Sequence, residues 1–216
     1  MSRIIAGSRR GRRLTMPATD KTRPTTDRVR EALFSAVTSW VGSSARPPED
    51  SLAGLSFCDL FAGSGAVGLE AASRGAAPVL LVESDKRTAA TTSRNVATLG
   101  LQARVLTMKV EPLTRQPADA PFDLVFADPP YDLAAEAVES VLVALLEQGW
   151  VAADGLVVVE RSRRSPDLRW PGGFEDTWSR RYGETILFFG QAGSTTPPST
   201  GSPQPTADGG REAGPA

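Results

Sequence analysis

Between Leu55 and Phe189, short continuous apolar runs alternate with stretches whose apolar positions recur every three or four residues. The runs predict strands near 55–61, 78–83, 103–108, 122–127, 155–160 and 184–189, with a weaker one at 174–179. The periodic stretches predict helices near 66–74, 86–99 and 133–148. Runs such as "VLLVE" and "LVVVE" are apolar throughout rather than alternating, as strands buried on both faces must be. Strand–helix alternation with such strands implies an α/β fold: a Rossmann-like, mostly parallel, seven-stranded central sheet with helices on both faces. The last two strands, joined across "RRYGE", are expected to form a C-terminal antiparallel hairpin.

The flanks follow other patterns. Residues 2–16 predict an N-terminal β-hairpin extension, strands "RIIAG" and "RRLTM" joined by the turn "SRRG". In "RPTTDRVREALFSAVTSWV" the positions Val29, Leu33, Phe34, Val37, Trp40 and Val41 trace a helical stripe, with Thr26 or Asp27 as its N-cap. "GSSARPPEDSLAG" is a loop, and residues 191–216 have too little apolar content to fold, so that tail is expected to be disordered. The divisions are therefore 1–24, a basic hairpin; 25–190, the α/β domain; and 191–216, the tail.

Charge changes this picture. Nine bases against two acids give residues 1–30 a net +7, and the rest of the chain −8, out of a formal −1. A basic edge on an acidic body suits a polyanionic partner. Histidine is absent, which excludes Ser/His and Cys/His catalysis and the common zinc sets, and leaves carboxylates as proton acceptors. The single cysteine, Cys58, excludes an internal disulfide and sits in an apolar run as a buried residue. No membrane span or secretion signal is evident, so a soluble, cytoplasmic protein is expected. No extended apolar surface suggests a partner copy, so a monomer is expected.

Two motifs carry chemistry. Gly63, Gly65 and Gly68 fit G-x-G-x-x-G after the first sheet strand, and Glu83 ends the next strand, where an acid can hold a ribose diol. Asp59 discriminates between ligands. A dinucleotide would set phosphates against it, whereas S-adenosylmethionine presents an ammonium and a sulfonium. At ~4 Å that change of sign amounts to several kcal/mol at an intermediate dielectric. The second motif, "FDLVFADPPY", ends a buried strand in Asp128-Pro129-Pro130-Tyr131. Asp128 and the Pro129 carbonyl can accept both hydrogens of an exocyclic amine. Pro130, with no N–H and a fixed φ, stiffens the corner, and Tyr131 can stack on a base. Two acceptors localise the lone pair of a conjugated amine, so positioning supplies most of the catalysis, with no metal.

"DLFAGSG" together with "DPPY" resembles the class I S-adenosylmethionine-dependent methyltransferases that act on base amines. "RIIAGSRRGRRL", "RPTTDRVREALF", "GLEAASRGA" and "RYGETILFF" further resemble the bacterial family that methylates N2 of guanine 966 of 16S ribosomal RNA, over about residues 3–190. The resemblance implies an rRNA (guanine-N2-)-methyltransferase with S-adenosyl-L-methionine as cofactor. Its partner would be 16S rRNA, naked or within a partly assembled small subunit. It implies a donor site of Asp59, Phe61, Ala62, Gly63, Ser64 and Gly65, with Glu83 and Ser84 at the next strand tip. Asp128, Pro129, Pro130 and Tyr131 would grip a guanine turned out of its stack. Arg3, Arg9, Arg10, Arg12, Arg13, Arg23, Arg28 and Arg30 would meet RNA phosphates, although Arg28 or Arg30 could instead pair with acids on their own helix. Where relatives place an acid or amide at the end of the third strand to meet the donor's adenine, this chain has "VLTMKVEPL", with Lys109 near the expected place and Glu111 two further on; neither is assigned the contact, for which the Val110 backbone could serve. The alternatives are a DNA adenine-N6 methyltransferase, an NAD-dependent oxidoreductase, and an RNA-binding protein with an idle donor site.

Overall fold

A computed structural model describes residues 2–17, 26–130 and 133–194. Seven strands form one sheet in the order β5-β4-β3-β6-β7-β9-β8. In chain order these are β3 (Phe57–Asp59), β4 (Val79–Glu83), β5 (Arg104–Thr107), β6 (Phe122–Ala127), β7 (Val151–Ser162), β8 (Phe174–Tyr182) and β9 (Thr185–Ala192). The first five pair in parallel, while β9 joins β7 and β8 antiparallel across the Gly183 turn, as expected. Between them run α2 (Ala66–Ser73), α3 (Lys86–Leu99), α4 (Val110–Thr114) and α5 (Ala135–Glu147).

The continuous apolar strands have two buried faces. Phe126, Leu156 and Val158 pack in one core with Leu33 and Phe34 from α1 (Asp27–Val41) and Leu69 from α2. Their neighbours Val125, Val157 and Val159 pack in the other, against Leu142 and Leu145 of α5. Strand order reverses at β3, with β4 on one side and β6 on the other. The crevice outside the carboxyl ends of these strands is where an open α/β sheet takes a ligand.

Thr26 caps α1 as predicted, its hydroxyl accepting from the Val29 N–H at 3.3 Å. The hairpin departs from expectation. Its ladder holds only β1 (Ser2–Arg3) and β2 (Arg13–Leu14), extended by Ile4 N–H to the Arg12 carbonyl at 2.9 Å and Gly11 N–H to the Ile4 carbonyl at 2.8 Å, before the following donors leave it for another partner. Ile5 and Ala6 donate to the two oxygens of Glu70 on α2, at 2.7 and 2.9 Å. Gly7 lies so close to α2 that a Cβ there would sit 1.9 Å from the Ser73 carbonyl oxygen. Ile4 and Leu14 enter the main core, so the hairpin is docked rather than free.

Three more boundaries differ. β7 starts at Val151, before a kink at Asp154 (φ 59°) and a register shift against β6. Helix α4 has no counterpart in the sequence pattern: its Pro112 reads as a breaker but falls in the first turn, where no backbone donor is needed. Gln191 and Ala192, expected in the tail, complete β9, with Gln191 opposite Leu156 and Ala192 buried. Residues 195–216 lie outside the described residues.

Candidate active site

Asp59 is the last residue of β3 and 1% exposed. Its Oδ2 accepts from the Gly68 N–H at 3.0 Å, while Oδ1 is a buried acceptor making no close hydrogen bond among the described residues. Burial pushes its carboxyl up to about 7, against the Gly68 N–H, which pulls it down; the nearby Glu83 charge raises it further and the Phe61 N–H lowers it slightly. Gly68 also fixes the helix-to-sheet distance, because a Cβ there would come within 2.1 Å of Leu81 Cδ2.

Glu83, at the tip of β4, accepts from the Gly63 N–H at 3.0 Å and the Asp85 N–H at 2.8 Å. The two carboxylates thus bracket the glycine turn. On the far side α3 holds that turn through two side chains that the sequence pattern does not single out. Thr92 Oγ1 donates to the Gly63 carbonyl at 2.5 Å, and Asn95 Nδ2 to the Ser64 carbonyl at 2.9 Å. Asn95 also exchanges two hydrogen bonds with the Thr15 backbone, tying the hairpin to the glycine turn. The one available signal is a polar residue on the buried face of a helix.

These groups open on a cleft of about 630 Å³, in the size range of small-molecule sites. Of the residues predicted for the donor, Asp59, Phe61, Ala62, Gly63, Ser64, Glu83, Ser84 and Val110 line it, while Gly65 instead caps α2. Met16 and Pro17 from the end of the hairpin and Lys109, Glu111 and Pro112 at α4 complete the wall; none of the five was predicted to bind there. Asp128 and Pro130 enter the same cleft from the end of β6. Pro129 is buried at the rear of the corner, and Tyr131 lies outside the described residues. Arg161, itself buried, donates to the Leu133 carbonyl at 3.2 Å and feels the Asp128 charge, which offsets part of the lowering that burial imposes on its guanidinium.

The predicted arginines divide. Arg3, Arg10, Arg12, Arg13 and Arg28 are exposed or half-exposed, with Arg3 3.5 Å from Asp27. Arg9 spends its guanidinium on the Leu99 and Gly100 carbonyls at the end of α3. Arg30 is corrected: it is 0% exposed and donates to Ser2 Oγ, the Arg3 carbonyl and Asp27 Oδ1, pinning the hairpin to α1. A guanidinium sealed there has no face to offer a phosphate. Arg23 lies outside the described residues.

The family described as "Conserved hypothetical protein 95" matches residues 2–191, nearly the whole described chain. The chain belongs to this family. Among its relatives is the Ribosomal RNA small subunit methyltransferase D of Escherichia coli K12. It is 38% identical over 159 residues, 73% of each chain. A hypothetical protein of Thermus thermophilus superposes with a TM-score of 0.68 at 35% identity, covering 88% of this chain and 98% of that one. The fold is also that of the Thermus thermophilus 16S rRNA N2 G1207 methyltransferase, solved in complex with AdoMet and guanosine. There the TM-score is 0.61 at 20% identity, over 81% of this chain and 44% of that one. No helix among the described residues is long and apolar enough to cross a membrane, and no cluster among them could hold a metal ion.

Proposed function

We propose that this protein transfers a methyl group from S-adenosylmethionine to the exocyclic N2 of guanine 966 in 16S ribosomal RNA, acting as a cytoplasmic monomer. The observation that carries this reading is a single cleft lined both by two carboxylates around a glycine turn and by Asp128 and Pro130 of the strand-end corner. The chemistry of the donor half fits the methyl donor. Asp59 is buried with Oδ1 making no close hydrogen bond among the described residues, and such a carboxylate favours a cation, which the donor's ammonium provides and a dinucleotide's phosphates do not. Glu83 would take the ribose hydroxyls, and Val110 the adenine.

Once bound, the donor supplies an electrophilic methyl group. The chain's own part is positional. Asp128 and the Pro129 carbonyl accept the two amine hydrogens, turn the nitrogen lone pair toward the methyl group, and leave Asp128 able to take the proton released as the N–C bond forms. Tyr131 is assigned to stacking on the base. Arg3, Arg10, Arg12, Arg13 and Arg28 offer a basic face to RNA phosphates. Among the described residues Val143 is the one large apolar side chain that is exposed, which supports a monomer.

The test is methyl transfer from labelled donor to small-subunit RNA and to partly assembled subunits from cells lacking this protein, with the product nucleotide mapped. N2-methylguanosine at 966 is expected; transfer to an adenine amine, or none, would contradict the proposal.

A further inference from the structure

The Asp128–Pro130 corner lies beyond the reach of the sheet ladder. β6 ends at Ala127, opposite Val159, whereas β7 runs on to Ser162. That overhang is held in register by β9, with Arg161 opposite Ile186 and Ser162 opposite Thr185. The residues that would prolong the β6 ladder include Pro129 and Pro130, which have no N–H to give it. Open space also borders the segment on two sides. Asp128, Pro130 and Leu133 line the donor cleft, while Leu133 and Ala134 line a second cavity, of about 880 Å³. A short chain of hydrogen bonds ties the segment to β7 instead. Arg161 donates from Nη2 to the Leu133 carbonyl at 3.2 Å, and the Leu133 N–H donates back to the Pro130 carbonyl at 2.9 Å. Arg161 is only 5% exposed, and with Asp128 and Pro129 it lines a narrow gap at the corner. The Asp128 charge offsets part of what burial takes from its guanidinium. Arginine is rarely buried to that degree without a polar task, and nothing in the methyl transfer described above uses it.

We propose that Arg161 is a positioning residue for the methyl transfer: from the end of β7 it fixes where the Asp128–Pro130 corner, and with it the two amine acceptors, stands against the donor. Arg161 does not line the donor cleft, so it acts on the reaction through the corner. Two properties of a guanidinium suit it to the task. Its N–H groups can anchor a main-chain carbonyl where the prolines have removed the ladder, and its fixed charge attracts the Asp128 carboxylate from the side of the sheet. The demand on such an anchor is high, because the protein contributes chiefly geometry to this reaction. A misplacement of ~1 Å can cost on the order of a hundredfold in rate. The support is also well founded mechanically, since Arg161 belongs to a strand paired along its length with β9, whereas the corner it holds is irregular backbone. This inference rests on the proposed guanine-N2 reaction and adds the residue that keeps its acceptors in place.

The experiment measures single-turnover transfer at saturating S-adenosylmethionine and saturating small subunits from cells lacking this protein, with donor affinity and subunit KM measured beside it. Arg161→Met has neither charge nor donor at a similar length. Its saturated rate should fall about 10- to 100-fold, the range of a lost charge-assisted hydrogen bond, while donor affinity and subunit KM stay within about threefold. Arg161→Lys keeps the charge and a donor but not the planar fork, and its rate should lie between that of Arg161→Met and wild type. A residue that only stabilised the fold would lower the melting temperature and leave the rate per donor-bound molecule unchanged. The proposal is overturned by a wild-type rate in Arg161→Met, by a loss confined to donor affinity or subunit KM, or by Arg161→Lys no faster than Arg161→Met. If Arg161→Met fails to bind the donor, Arg161→Gln, which keeps one donor group, is read on the same saturated rate. A fall of at least about fivefold is then expected, and the wild-type rate overturns the proposal. Absence of guanine-N2 transfer by wild type would instead refute the proposed function, so the two failures are distinct.

Discussion

Asp59 is unfavourable for the fold at neutral pH, and the role proposed for it is to bind the donor's ammonium. Its carboxyl sits at about 7 in the folded chain, chiefly through burial, against an ordinary value near 4 when unfolded. The folded state therefore holds that proton more tightly. The stabilisation is complete below the ordinary carboxylate range and is lost as pH rises through 7. Asp59→Asn keeps an acceptor for Gly68 but removes the charge. The donor-free variant should be more stable than wild type at pH 8, by roughly 2–4 kcal/mol, and indistinguishable at pH 4. Thermal melts across that range check it. S-adenosylmethionine binding by the variant should fall at least tenfold at pH 8. In the wild type, affinity should weaken as pH drops below 7, as protonation cancels the attraction for the donor's ammonium.

At the scale of elements, the hairpin is docked by buried side chains in addition to its own short ladder. Arg30 reaches Ser2, Arg3 and Asp27, and Glu70 takes the Ile5 and Ala6 donors. Arg30→Met leaves those acceptors unsatisfied and should cost about 2–4 kcal/mol in chemical denaturation. It should not alter the salt dependence of RNA binding, as loss of a phosphate contact would. Periodicity, caps and continuous apolar runs are enough to place α1, α2, α3, α5 and the central strands, even though the buried face of α3 carries Thr88, Thr91, Thr92 and Asn95. They do not place α4, whose five residues hold a proline, nor the extent of β1 and β2. A backbone donor that goes to Glu70, 65 residues away, leaves no local trace. The motif residues that line the donor cleft are readable because glycine spacing and strand-end acids are local in sequence. Asn95, Thr92 and Met16 are not, since they reach the site only through tertiary packing.

For the molecule as a whole, charge separates the faces. The exposed Arg3, Arg10, Arg12 and Arg13 lie on the docked hairpin, and that hairpin connects through Thr15 and Asn95 to the glycine turn of the donor cleft. Replacing the four with Gln should weaken RNA binding and reduce the slope of log K against log salt by up to about 3, measured by filter binding; an unchanged slope would make the hairpin ordinary surface. Removing residues 195–216 should leave methyl transfer intact, since β9 is complete at Ala192.

The proposed reaction depends on Asp128 as an acceptor for the base amine. The most direct measurement is single-turnover methyl transfer by Asp128→Ala on the small-subunit substrate, alongside its affinity for S-adenosylmethionine. A fall of at least about a hundredfold in the transfer rate with donor affinity preserved is expected. Transfer at the wild-type rate would contradict the account.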